Sequence, residues 1–239
     1  MGEAFAWGLL AGSSLVLGAL IVFVHKPSQR TLGLIMGFGA GVLISAVAYE
    51  LIDEALTVIS GAGDTILGFF SGALVFYAGD SLIARFGAGD EGDGEGSGLS
   101  IVLGAVLDGI PESAVLGLTL LQTGEIGVSM LVAVFISNLP EAIGASGDLL
   151  HSGWRKSRVF LLWVVVAFAS GVSAALGFVL LDGASPGTIA FVLSFAGGAI
   201  LTMLSTSMIP EAYREAHRPV GLATTFGFAV ALGVSYLAG

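Results

Sequence analysis

The chain has no cysteine, which excludes disulfides, thiolate-bound metals and thiol nucleophiles together. It is also poor in charge. Asp, Glu, Lys and Arg make up 11% of its 239 residues, against about 25% in soluble domains. Eight residues are Lys or Arg and three are His. No basic run exists to bind nucleic acid, and no G-x-x-x-x-G-K-[ST] loop exists to cradle nucleotide phosphates. With 55% hydrophobic residues and a mean hydropathy of +0.97, the class that remains is a polytopic protein of the lipid bilayer. Glycine is plentiful, at 37 residues, as expected where spanning helices pack through small residues.

A spanning helix needs about 20 mostly apolar residues. Eight stretches qualify: 4–24, 31–52, 65–86, 99–121, 126–150, 159–181, 188–209 and 221–238. The expected fold is all-α, a bundle of eight transmembrane helices forming one domain over 1–239. The Gly-rich, acidic stretch 87–98 reads as a flexible cytoplasmic loop. Lys26 and Arg30 follow the first stretch, Arg85 the third, Arg155, Lys156 and Arg158 the fifth, Arg214 and Arg218 the seventh. Basic residues stay cytoplasmic, so both termini are expected on the extracytoplasmic side. The first apolar run has its basic residues behind it, so it is not expected to be a cleaved signal peptide. Short loops point to a prokaryotic inner membrane, and glycine-rich helix faces leave room for a homodimer.

Two internal repeats stand out. Ile110-Pro-Glu-Ser113 matches Leu139-Pro-Glu-Ala142 on the fourth and fifth stretches. Phe38-Gly-Ala-Gly41 matches Phe195-Ala-Gly-Gly198, and Ile52-Asp-Glu-Ala55 matches Ile209-Pro-Glu-Ala212, at one constant offset. Both pairs join stretches that run in opposite directions. Inverted repeats are a transporter signature, with the substrate site expected near the midplane where the repeats meet.

The Pro-Glu segments carry chemistry. Asp108 and Glu112 are four apart and share one helix face, as do Ser137 and Glu141, with Asn138 beside them. Pro111 and Pro140 lack a backbone donor, which frees the carbonyls of Leu107 and Ile136 one turn back. An isolated ionised side chain at mid-bilayer costs at least about 2.5–3.5 kcal/mol. Three carboxylates there need either protons or a cation among them. Carboxylates, an amide, a hydroxyl and loosened carbonyls make an oxygen-rich cation site.

Asp108-Gly-Ile-Pro-Glu-Ser113 and Ser137-Asn-Leu-Pro-Glu-Ala142 resemble the paired H-N-x-P-E-G-type motifs of the ZIP (Zrt/Irt-like) family of divalent metal transporters. The glycine patterns Gly37–Ser45 and Phe195–Leu201 extend the resemblance over most of the chain. It implies eight spans, outward termini and transport of a zinc-type ion, with metal ligands at Asp108, Glu112, Ser137, Asn138 and Glu141. The metal is then cargo, with no cofactor and no enzymatic step. The chain departs from the pattern where the helix-four His is Asp108, the following Asn is Gly109, the helix-five His or Gln is Ser137, and a helix-six Glu is Ala174. The family's His-rich third loop is absent too. Without a nitrogen donor, carboxylate and carbonyl oxygens suit Mn²⁺, Mg²⁺ or Ca²⁺, whereas Zn²⁺ favours His or Cys. Both readings stay open.

Further polar residues suggest a path. Asp148 and His151 lead from Glu141 toward the cytoplasmic end of helix five, as an exit relay or as partners of the Arg155–Arg158 loop. Glu54, with Glu50 and Asp53, ends helix two on the outer face, to collect cations or simply to end a helix. Glu211, with Glu215 and His217, either binds departing metal or pairs with Arg214 and Arg218. Two other functions compete. One is a metal sensor or scaffold without flux. The other is an intramembrane aspartyl protease built on Tyr77, Asp80 and Asp108, which would leave the second Pro-Glu segment unexplained.

Overall fold

The computed structural model describes residues 1–25, 27–59, 62–88, 94–124 and 126–238. Side chains at 86–88, 94–102, 105, 108, 122–123, 129 and 237–238 lie outside that description. The described residues form helices α1 Gly2–Val24, α2 Gln29–Val58, α3 Gly63–Ala88, α4 Gly94–Thr123, α5 Val128–His151, α6 Lys156–Leu180, α7 Pro186–Ala216 and α8 Pro219–Ala238. Seven are long and apolar enough to cross a membrane. Among described residues the fourth is apolar over the shorter stretch Gly109–Leu121. The loop expected over 87–98 is mostly helical where it is described, because α3 reaches Ala88 and α4 starts at Gly94. Its centre, 89–93, lies outside the described residues.

The packing repeats as the sequence does. α3 packs on α7 as α8 packs on α2, and α1 packs on α5 as α4 packs on α6. α2 and α7 are antiparallel, since Gly33 near the start of α2 lies against Ala212 and Ala216 at the end of α7. Both begin with the same cap. Ser28 accepts the Thr31 backbone N–H at 3.1 Å, and Ser185 accepts that of Thr188 at 3.2 Å. Such a cap contributes about 1 kcal/mol. Both then cross a neighbour at a glycine, for which a backbone oxygen leaves no room for a side chain: Thr224 beside Gly41, and Phe69 beside Gly198.

Each of these helices also contains a π-helical turn, Val47–Ile52 in α2 and Leu204–Met208 in α7. The turns begin 157 positions apart (204 − 47), the offset that also relates Ser28 to Ser185 and Gly41 to Gly198. The ladder slips by one residue there, so that Asp53 N–H bonds Ala48 O and Ile209 N–H bonds Leu204 O. In α7 the cause is local. The hydroxyls of Thr202, Ser205 and Thr206 each bond the carbonyl four residues back, which competes with the ladder. Pro210 withholds a donor just beyond. Nothing local in the sequence of α2 accounts for its turn.

The faces follow from the surroundings. Leu161, Val165 and Phe168 on α6, and Leu67, Phe70 and Leu74 on α3, point outward and are exposed, as lipid-facing side chains are. Inside, α5 is fixed by polar contacts as well as by packing. Trp163 of α6, fully buried, donates its indole N–H to Ser146 at 2.8 Å. At the end where α1 finishes and α6 starts, Lys156 donates to the Phe23 carbonyl at 2.9 Å. Arg155 and Arg214 belong to this same basic end of the bundle.

Candidate metal site

α4 and α5 pass through their internal prolines without a break. Each therefore keeps its Pro-Glu segment helical while leaving one carbonyl without its usual donor. On α4, Glu112 and Ser113 are each 1% exposed. On α5, Ser137 and Asn138 are buried, and Ser137 donates to the Val134 carbonyl at 3.1 Å. That bond spends the hydroxyl proton and leaves the oxygen lone pairs free to accept or ligate. The side chain of Asp108 lies outside the described residues, although its backbone is in α4. Ser173 of α6 donates to the Ile110 carbonyl at 2.9 Å and ties α6 to the residue just before Pro111.

Glu141 differs from Glu112 in being half-buried and open to a cavity of about 210 Å³ between α2, α5 and α7, with Gly104 of α4 also on its wall. Asp148 of α5 and Ser207 and Glu211 of α7 line the same space. A second cavity of about 140 Å³ lies beyond it, bordered by Leu32, Arg214 and Glu215. Gly144, Asp148 and Glu211 border both. The two spaces share these three residues as a common border, and taken together they trace a passage from Glu141 toward the basic end with a carboxylate on each side. Gly144 keeps that passage open: a side chain there would begin 4.0 Å from Glu211 Oε1 and 3.9 Å from Leu32.

The expected residues separate into groups. Glu141, Asp148 and Glu211 come together around the passage. His151 is exposed and borders neither cavity. Glu54 is half-buried at the opposite end of the bundle. Among the described residues no three His, Asp or Glu side chains stand close enough to hold a metal ion by themselves. The alternative partners divide as well. Arg214 pairs with Glu211 at 3.8 Å and with Glu215 at 3.5 Å. No ion pair joins Asp148 to Arg155, Lys156 or Arg158 among the described residues. Lys156 is bonded to Phe23, and Arg158 stacks 3.8 Å over the Trp154 ring.

Sequence reasoning missed Ser207 and three methionines, Met36, Met203 and Met208, that line the first cavity. It also missed the contact of Glu50, which accepts a hydrogen bond from Ser235 of α8 at 3.1 Å. The spacing of Ser207 four residues before Glu211 was the available signal.

No family model matches the chain. The chain is similar to the zinc transporter GufA of Myxococcus xanthus, at 29% identity over 98% of this chain and 99% of that protein. It is similar to the zinc transporter ZupT of Chlorobium chlorochromatii, at 26% identity over 91% of each. A ZupT of Enterobacter is 25% identical over 85% of this chain and 84% of its own length.

Proposed function

Because the chain belongs to the ZIP (Zrt/Irt-like) family of metal-ion transporters, as a divergent member without the usual motif histidines, we propose that it carries divalent cations through the Pro-Glu segments of α4 and α5. It is an integral membrane protein and a transporter, not an enzyme. In this reading all eight helices span, and both termini are extracytoplasmic. The basic end is cytoplasmic, since Lys and Arg stay on that side. The membrane is a prokaryotic inner membrane.

The observation that carries the proposal is the passage from Glu141 past Asp148 and Glu211 to the basic end. A carboxylate that opens toward one face of the bundle is what alternating access requires of one state. The cation is held by Asp108, Glu112, Ser137, Asn138 and Glu141 and leaves between Asp148 and Glu211. Glu54 gathers ions at the outer face. Metal must displace protons from these carboxylates, so uptake and proton release are linked at the site. Relatives that are zinc transporters favour zinc as the cargo, and the oxygen donors admit Mn²⁺ or Fe²⁺ as well.

The test is uptake into proteoliposomes holding a metal-sensitive dye, with Zn²⁺, Cd²⁺, Mn²⁺, Fe²⁺ and Mg²⁺ offered in turn. Saturable flux of at least one ion above protein-free liposomes is expected. Folded protein that moves none of them would reject transport and leave a metal-sensing role. A narrower test addresses the passage. Asp148→Asn removes a focusing charge beside the exit and should slow uptake about tenfold, with no change in how tightly metal binds at the midplane. Full flux in that variant would put Asp148 outside the path.

A further inference from the structure

The passage next to Glu141 is walled by sulfur as well as oxygen. The chain has five methionines, and three of them, Met36 of α2 and Met203 and Met208 of α7, line the one cavity of about 210 Å³. They are 4%, 5% and 8% exposed, so what they meet is the cavity and the protein rather than lipid. Met130, fully buried in the core, lines neither cavity. Met208 reaches the predicted ligand helix itself. Its methyl and the Ser137 Cα lie 3.1 and 3.3 Å from the point where a side chain at Gly39 would begin.

Met203 and Met208 are five residues apart, a spacing that puts two side chains about 140° apart on a regular α-helix. They line one wall here because the π-helical turn Leu204–Met208 lies between them. In such a turn the hydrogen bonds reach five residues back and each residue turns the chain by less than in a regular helix, so the second thioether returns toward the side of the first. The turn therefore has a chemical result: it brings two sulfurs and the Ser207 hydroxyl onto the wall that faces Glu141.

Methionine often fills irregular gaps in a core. Three of them around a roomy, carboxylate-bearing cavity do something else. A thioether is a soft, neutral donor that suits d¹⁰ ions such as Zn²⁺ and Cd²⁺. Mg²⁺ keeps its waters and gains nothing from sulfur. From this arrangement we infer that Met36, Met203 and Met208 are specificity-determining residues, which select soft divalent cations over Mn²⁺ and Mg²⁺ as the ion passes Glu141. The inference rests on the transport reading above, and it resolves the ambiguity left by an all-oxygen ligand set.

The experiment combines flux and spectroscopy. In proteoliposomes the wild type should favour Cd²⁺ and Zn²⁺ over Mn²⁺. The variant carrying Met36→Leu, Met203→Leu and Met208→Leu keeps volume nearly constant. It should lose about tenfold or more of that preference, the size expected when a metal's supporting partners are removed. Independently of any mutation, selenomethionine-labelled wild type loaded with Cd²⁺ should show a selenium neighbour in cadmium-edge X-ray absorption. An unchanged Cd²⁺ to Mn²⁺ ratio in the variant, or an oxygen-only shell around bound Cd²⁺ in the labelled wild type, would overturn the inference and leave transport standing. A wild type that moves no ion would instead overturn the transport reading, and the absorption spectrum would still decide whether sulfur binds the metal.

Discussion

Proteoliposomes bearing the Glu112→Ala/Glu141→Ala variant are expected to take up metal no faster than protein-free liposomes, a loss of at least about 100-fold from wild type. Loss of a single outer-shell partner already costs roughly 10- to 100-fold in metal affinity, and in the proposed site two direct ligands would go. The argument turns on position. Glu112 is 1% exposed, and a carboxylate buried that deeply is stabilised by hydrogen bonds, by a proton or by a cation. Glu141 is the one that meets the passage. The single variants should therefore differ. Glu141→Gln keeps a carbonyl oxygen at the cavity but removes the charge that attracts the ion, and flux should fall steeply. Glu112→Gln keeps the buried volume and should fold well, so its lost flux would report ligation and not stability. If the double variant keeps more than a tenth of wild-type uptake while eluting as folded protein, the Pro-Glu segments do not hold the cargo.

The second large effect is structural. Gly41→Ala and Gly198→Ala should each destabilise the bundle by about 3 kcal/mol or more, at or beyond the upper end of ordinary overpacking. At both positions the obstacle is a backbone oxygen, Thr224 against Gly41 and Phe69 against Gly198. A side chain can swing away, but a helix backbone moves only with its whole neighbour. In lipid this close approach is the main source of helix association, since lipid tails are as apolar as the helices. Gly233→Ala, with nothing near the new methyl, should be neutral or slightly stabilising and serves as the control. Thermal unfolding in detergent, followed by intrinsic fluorescence, measures all three. The effects of Gly41→Ala and Gly198→Ala should add when combined, because they act at separate helix crossings.

Helix limits were legible in the sequence where hydropathy and hydrogen bonding stop together. The stretch 4–24 became Gly2–Val24, and 126–150 became Val128–His151. They parted where a helix leaves the apolar layer. α2 runs on to Val58 and α7 to Ala216, past the expected ends at 52 and 209. Ile-Asp-Glu-Ala and Ile-Pro-Glu-Ala are polar but still helical, and hydropathy marks the lipid boundary, not the end of a ladder. The freed carbonyls one turn before Pro111 and Pro140 were readable because proline removes a donor wherever it sits. The passage was not. It is formed by α2, α5 and α7 together, and sequence spacing assigns faces only within one helix. The π-helical turn in α7 then changes those faces, which is why sequence spacing alone does not bring Met203 and Met208 together. The pairing of Arg214 with Glu211 and Glu215 was legible, being local to one helix end. That Arg155, Lys156 and Arg158 leave Asp148 to the passage was not, because Lys156 finds its partner on α1.

The extra residue in each π-helical turn also bears on how the chain tolerates changes in its own length. A turn that holds one residue too many for a regular helix is a place where one residue can be deleted without cutting the ladder. The hydrogen bonds would simply revert to the shorter rung. The four residues that remain would turn about 400° on a regular helix, close to what five turn in the wider π coil, so the rest of the helix would keep nearly its present face. In α7 such a deletion between Leu204 and Met208 would leave Pro186–Met203 in place and keep Glu211 close to the side of the helix that lines the cavity. Length at this point is therefore one residue more forgiving than elsewhere in the helix. A lineage could lose one codon here and keep Glu211 beside the cavity, whereas the same loss in a regular stretch would turn all that follows by about 100°.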